Sequence, residues 1–142
     1  MGAIKITPAD SAFSKCVRER AEWKCERCGA QHDPSSTGLH CSHFHGRGKW
    51  GVRFEPLNGE ALCYGCHAYL GAHPLEHREH KLELIGDHSL QILQEKANDT
   101  SSGRQARREQ KEIAKHYREE LKRMQSERAN GVTGRIEFVG YL

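Results

Sequence analysis

The chain has 142 residues, a net charge of +3 with histidine neutral and an apolar fraction of 36%, which suits one compact domain with a modest core plus helical extensions. A charge this small excludes a polycation, so any nucleic-acid surface has to come from local clustering. No apolar run is long enough to span a bilayer and no charged-then-apolar signal opens the chain, so the expectation is a cytoplasmic protein in a reducing compartment with no membrane partner.

Residues 1 to 7 read as an extended lead-in. Pro8 and Asp10 supply helix-start chemistry, and Phe13, Cys16, Val17, Arg20 and Trp23 follow at helical spacing, which predicts a helix over 9–23. Cys25-Glu-Arg-Cys28-Gly29 has the form of a metal knuckle, with Gly29 free to leave at positive φ. Asp33 to Gly38 is turn chemistry. Leu39 to Phe44 and Val52 to Phe54 predict the strands of an irregular hairpin, joined by the basic, glycine-punctuated stretch Gly46 to Gly51. Pro56 to Gly59 predicts a turn carrying Asn58. Ala61 and Leu62 lead into a second knuckle, Cys63-x-x-Cys66, whose His67 opens a helix that Gly71 ends.

Pro74 to Ile85 predicts a further helix closed by Gly86, and Asp87 or Ser89 can cap another carrying Leu90, Leu93 and Ala97. Asn98 to Gly103 reads as a polar hinge between a domain over 1–97 and a second segment over 104–142. From Arg104 to Arg128 a charged helix is predicted, with Ile113, Tyr117, Leu121 and Met124 as its apolar stripe. Its other faces carry Arg104, Arg107, Arg108, Lys111, Lys115, Arg118, Lys122 and Arg123. Arg135 to Tyr141 reads as a terminal strand.

Four of the six cysteines fall as two Cys-x-x-Cys pairs, the spacing that grips one tetrahedral ion, so a structural zinc on Cys25, Cys28, Cys63 and Cys66 is predicted. Cys16 and Cys41 then remain thiols. A two-cysteine, two-histidine finger on Cys25, Cys28, His40 and His43 or His45 needs a helix before its histidines, which Asp33 to Gly38 cannot supply. A nucleobase deaminase needs a proline before its first cysteine, where Leu62 stands.

His43, Asn58 and His67 occur in the order His, Asn, His across this clamped unit. The stretch resembles the HNH group of ββα-metal endonucleases in their zinc-bearing form. The region from Cys25 to about Met124 is similar to the phage NinG/Rap recombination endonucleases in Cys25-x-x-Cys28-Gly29, Ser42-His43-Phe44, Arg53-Phe54-x-x-x-Asn58, Cys63-x-x-Cys66, the leucine-containing segment ending in Gly86, and Tyr117-x-x-x-Leu121-Lys122.

That resemblance implies an α+β fold with a small zinc-stabilised ββα-metal core, flanking helices and a long basic C-terminal helix. It implies a phage or prophage protein in a bacterial host that hydrolyses phosphodiesters of duplex or branched DNA, with Mg²⁺ or Mn²⁺ held apart from the zinc. By the same resemblance His43 is the general base, Asn58 fixes the hairpin loop and so the His43 ring, and His67 is the leading ligand of the catalytic ion. Arg47 is a candidate clamp for the scissile phosphate. Many HNH enzymes place an acidic metal ligand just before the base; this chain has Ser42, and His45, expected on the same face as His43, is the candidate substitute.

Plainer readings stand beside these. A lone histidine is usually a hydrogen-bonding residue, which is how His73, His77, His80, His88 and His116 are read, and Asn58 before a glycine also suits an ordinary turn. The basic helix is either a solvated face or a phosphate contact, and its stripe packs on the zinc unit or on a second copy in a homodimer. Two rivals to the enzyme are a zinc-stabilised DNA-binding module without chemistry, motivated by Ser42, and a protein-interaction adaptor.

Overall fold

The computed structural model describes residues 4–142. Residues 1 to 3 of the expected lead-in lie outside the described residues, and residues 4 to 7 have no regular structure. Helix α1 (Pro8–Arg20) begins on a capping box: Thr7 Oγ1 accepts from the Asp10 backbone N–H at 3.2 Å, and Asp10 Oδ2 accepts from the Thr7 N–H at 2.8 Å. It stops short of the expected Trp23, because Glu22 and Trp23 adopt φ of 58° and 61° and turn the chain into the first knuckle. Ala9, Phe13, Cys16 and Val17 form its buried face.

Strand β1 (Leu39–His43) pairs antiparallel with β2 (Gly59–Cys63), Leu39 opposite Cys63 and His43 opposite Gly59. The expected return strand, Val52 to Phe54, is instead a run of turns. Val52 and Phe54 are buried anchors there, and Arg53 between them makes a two-pronged bond to the Asp10 carboxylate, Nη2 to Oδ2 at 2.6 Å and Nε to Oδ1 at 3.0 Å. Asp10 and Arg53 are both almost fully buried, so the loop is locked to the start of α1 by a charge-assisted pair.

Side chains alternate between the two faces of the strand pair. Leu39, Cys41, His43, Gly59 and Ala61 turn to α1, where a Cβ on Gly59 would sit 2.7 Å from Val17 Cγ2; the glycine is what lets helix and sheet close up. His40, Ser42, Glu60 and Leu62 turn to the other face. That side is covered by α2 (Tyr64–Ala72) and α3 (Pro74–Ala97).

Gly71 lies inside α2 rather than ending it, the chain turning at His73. Gly86 does interrupt α3, with φ 82° and ψ 167°. The polar stretch 98–103, expected as a hinge, runs instead into helix α4 (Thr100–Arg108), where Asp99 Oδ1 accepts from the N–H groups of Ser101 and Ser102. Gly103 is buried there, because a Cβ would meet Trp50 Cβ at 3.3 Å.

Helix α5 (Gln110–Ala129) packs along α1, with Ile113, Tyr117 and Met124 in the same apolar cluster as Phe13, Cys16 and Val17. The stripe thus packs within the chain. Residues 135–141 form no ladder, contrary to the expected terminal strand; they lie extended across the core and bury Ile136 and Phe138. Phe138 meets Phe13 and Tyr117 edge-on at centroid distances of 5.9 and 5.8 Å. No helix of the described residues is long and apolar enough to cross a membrane.

Candidate functional site

The two knuckles bring Cys25, Cys28, Cys63 and Cys66 together, their Sγ atoms all within 4.8 Å of one another. Cys28 Sγ and Cys63 Sγ are 3.8 Å apart, which matches the edge of a tetrahedron whose metal–sulfur bonds are about 2.3 Å. The Cys28 N–H points at Cys25 Sγ (3.5 Å) and the Cys66 N–H at Cys63 Sγ (3.4 Å), while Arg27 Nη1 reaches Cys66 Sγ at 3.4 Å. Burial raises both inner thiols, and with the neighbouring Cys63, Cys25 and Cys28 it outweighs Arg27 and pushes Cys66 up to about 12. At Cys25 the backbone N–H groups outweigh burial and bring the value down to about 6. Four thiolates this close need a cation to coexist, and the donor set fits zinc. Cys16 and Cys41 are free, and burial raises them to about 12 and about 11.

His43 ends β1 with its ring 5.9 Å from that of Phe13. Burial first, then the charge of Arg47, lowers its pKa to about 4, so the imidazole is neutral at physiological pH. Its Nε2 is buried with no hydrogen-bond partner. Arg47 lies beside it, Nε 3.8 Å from Asp10 Oδ1 and its side chain 30% exposed.

Asn58 is fully buried, and it grips the loop that follows β1. Its Oδ1 accepts from the His45 N–H at 2.8 Å, its Nδ2 donates to the His45 carbonyl at 2.9 Å, and its own carbonyl accepts from the Phe44 N–H at 2.9 Å. His45 is therefore not the next in-line residue of the strand on the face of His43. It sits beyond the strand end, where it helps line a groove with Phe44, Leu75, His77, Arg78 and Leu90.

His67 lies in the first turns of α2, and the structure pairs it with His40 rather than with His43: the two Nδ1 atoms are 3.0 Å apart. Burial, then the charge of His40, lowers the pKa of His67. His43 and His67 share one influence, the positive charge of Arg47, which depresses both. The sequence offered His40 only as a finger ligand and Asp10 only as a helix start; the pairing of His40 with His67 and the bracing of Asp10 by Arg53 had no local signal beyond an arginine placed between two apolar residues.

No family model, curated protein or solved structure matches the chain.

Proposed function

We propose that this chain is a metal-dependent DNA endonuclease of the HNH type, acting on duplex or branched DNA. One observation carries the reading: a neutral imidazole with an unpaired Nε2 stands at the end of a strand whose following loop is tied by a buried asparagine, all of it hung between two cysteine knuckles. A general base at neutral pH needs an uncharged imidazole held in one orientation. His43 Nε2 takes a proton from water as the water oxygen attacks phosphorus, the bond to the leaving sugar oxygen breaks, and that oxygen is protonated from solvent. Asn58 keeps the loop, and through it His43, from shifting. Arg47 meets the phosphate.

A divalent ion, Mg²⁺ or Mn²⁺, would supply Lewis-acid stabilisation of the leaving oxygen, and in this reading His67 would be its ligand, which requires its ring to leave the His40 pairing. Beside this region Lys49, Arg104 and Arg107 line a groove of about 400 Å³ against Trp50, with the Arg107 guanidinium 4.9 Å from the Trp50 ring. Such a basic groove suits a phosphate backbone.

The test is incubation with plasmid and with a four-way junction, with and without Mg²⁺ or Mn²⁺, comparing wild type with His43→Ala. Ion-dependent cleavage that the variant loses supports the enzyme; no cleavage by wild-type protein in either ion sinks it. The burial of Nε2 and the serine at position 42 favour a second reading, a DNA-binding module without chemistry, for which the same assay gives binding and no cleavage.

A further inference from the structure

Helix α5 pairs its cations on one side and leaves them unpaired on another. Arg123 lies between Glu120 and Glu127, 3.0 and 2.7 Å from their carboxylates, and Arg128 reaches Glu19 of α1 at 3.5 Å. Lys111, Lys115, Arg118 and Lys122 are all exposed, and none of the four has a carboxylate oxygen within 4.0 Å among the described residues. Their spacing of four, three and four residues sets them in a single row along the helix, about 16 Å from end to end at the α-helical rise. The row points away from Ile113, Tyr117 and Met124, the side chains that α5 buries.

Such a row works against the helix that carries it, because each neighbour along it is a like charge at i, i+3 or i, i+4. Glu112 and Glu119, which flank it, form no ion pair with it among the described residues. The row alone holds one positive charge more than the net +3 of the whole chain, so attraction to a polyanion is local to faces of this kind. We infer that this face of α5 binds the sugar-phosphate backbone of duplex DNA. A duplex presents a regular line of charge, about one per 1.7 Å of axis, and a straight row of cations is complementary to it. Unpaired bases would need exposed rings to stack on. The rings of α5 are engaged elsewhere: His116 Nε2 donates to the Val139 carbonyl at 2.7 Å, and Tyr117 is buried. Contact with phosphates alone reads no sequence.

The placement gives the surface a use. Helix α5 packs on α1, and α1 packs on the sheet face opposite to the one that bears His40 and is covered by α2 with His67. The row therefore lies across the molecule from the His40 and His67 pair, and it is separate from the Trp50 groove, whose arginines come from α4. A duplex segment held on α5 is not the segment at that pair, and a branched DNA supplies two such segments at once. The role in holding a second arm rests on the nuclease reading, whereas the duplex-binding surface stands on the row itself.

The experiment is fluorescence anisotropy of a labelled short duplex, the matching single strand and polyglutamate, each titrated with zinc-loaded protein over a range of salt without added Mg²⁺ or Mn²⁺. Combining Lys111→Gln, Lys115→Gln, Arg118→Gln and Lys122→Gln should flatten the slope of log K against log salt for the duplex by about 3–4, at about 0.9 per phosphate contact. Arg123→Gln, which removes a paired cation, should leave that slope unchanged. Arg118→Gln alone, expected to flatten it by about 1, keeps the test valid if the fourfold variant fails to fold. A duplex slope equal to wild type in the folded variants, tighter binding to the single strand than to the duplex, or polyglutamate bound as tightly as the duplex each overturns the surface. A flattened slope with no DNA cleavage by wild-type protein in either ion leaves the surface standing and fails only the nuclease reading.

Discussion

Asn58 holds both ends of the His45 peptide unit, its side-chain oxygen accepting from the N–H at 2.8 Å and its side-chain nitrogen donating to the carbonyl at 2.9 Å. Asn58→Ala leaves two backbone groups without partners inside a fully buried position. A destabilisation of about 2–4 kcal/mol is expected, since each unsatisfied buried group costs about 1–3 kcal/mol. Urea unfolding of zinc-saturated protein measures it. A change below the error of the fit would mean that the loop is held by something else.

The cysteine cluster joins segments that are distant in the chain, and a structural zinc contributes about 10 kcal/mol or more to small domains. Cys63→Ser should therefore release zinc and lose most helical circular dichroism, and a strong chelator should do the same to wild type. A two-cysteine, two-histidine site using His40 predicts the reverse, with His40→Ala losing zinc and Cys63→Ser retaining it.

Asp10 is placed to test the buried pair with Arg53. Burial would raise its carboxyl, but the hydrogen bonds from Arg53 and Thr7 outweigh it and hold the pKa below the ordinary value. The folded value lies below the unfolded one, so the stabilisation is complete above about pH 4 and is lost only as pH falls through the folded value. Asp10→Asn should cost about 3–5 kcal/mol by leaving Arg53 unpaired. Because the folded value is depressed, that penalty should stay constant from pH 7 down to pH 4. Below about pH 4 it should shrink, and a penalty that stays flat down to about pH 3 would show that Asp10 titrates normally.

Gly59 admits α1 to the sheet at the level of His43. In Gly59→Ala the new methyl would lie 2.7 Å from Val17 Cγ2 and 3.3 Å from Phe13 Cε2, an overpacking that costs about 1–3 kcal/mol. Val17→Ala in the same chain should return part of that loss, seen as a favourable coupling in a double-mutant cycle of unfolding free energies. Strict additivity would place the strain elsewhere.

The parts of the fold legible in the residues are those with local causes. Two Cys-x-x-Cys pairs announce one ion, Pro8 and Asp10 announce a helix start, and Gly86 breaks the helix that it interrupts. The second strand was misplaced because Val52 and Phe54 have strand-like side chains, whereas the true strand, Gly-Glu-Ala-Leu-Cys, has no β-branched residue; its pairing is dictated by the cysteine knuckle at its end and by the approach of α1. Residues 98–103 carry hinge composition but sit where Asp99 caps a helix and Gly103 must clear Trp50. Burial of Glu60 could not be foreseen either. A glutamate beside a glycine reads as surface until three partners from α3, His77, His80 and Lys81, are known to surround it.

The extended segment that carries Ile136 and Phe138 also bears on how the protein is made. Both cysteine pairs lie earlier in the chain than these residues, so during synthesis the cysteine cluster can assemble before the apolar interior closes. Until Phe138 emerges, Phe13 and Tyr117 lack their covering ring, so a chain shorter than this leaves its apolar interior uncovered. Ribosomes stalled short of that point should therefore display a chain that holds metal yet remains open to protease.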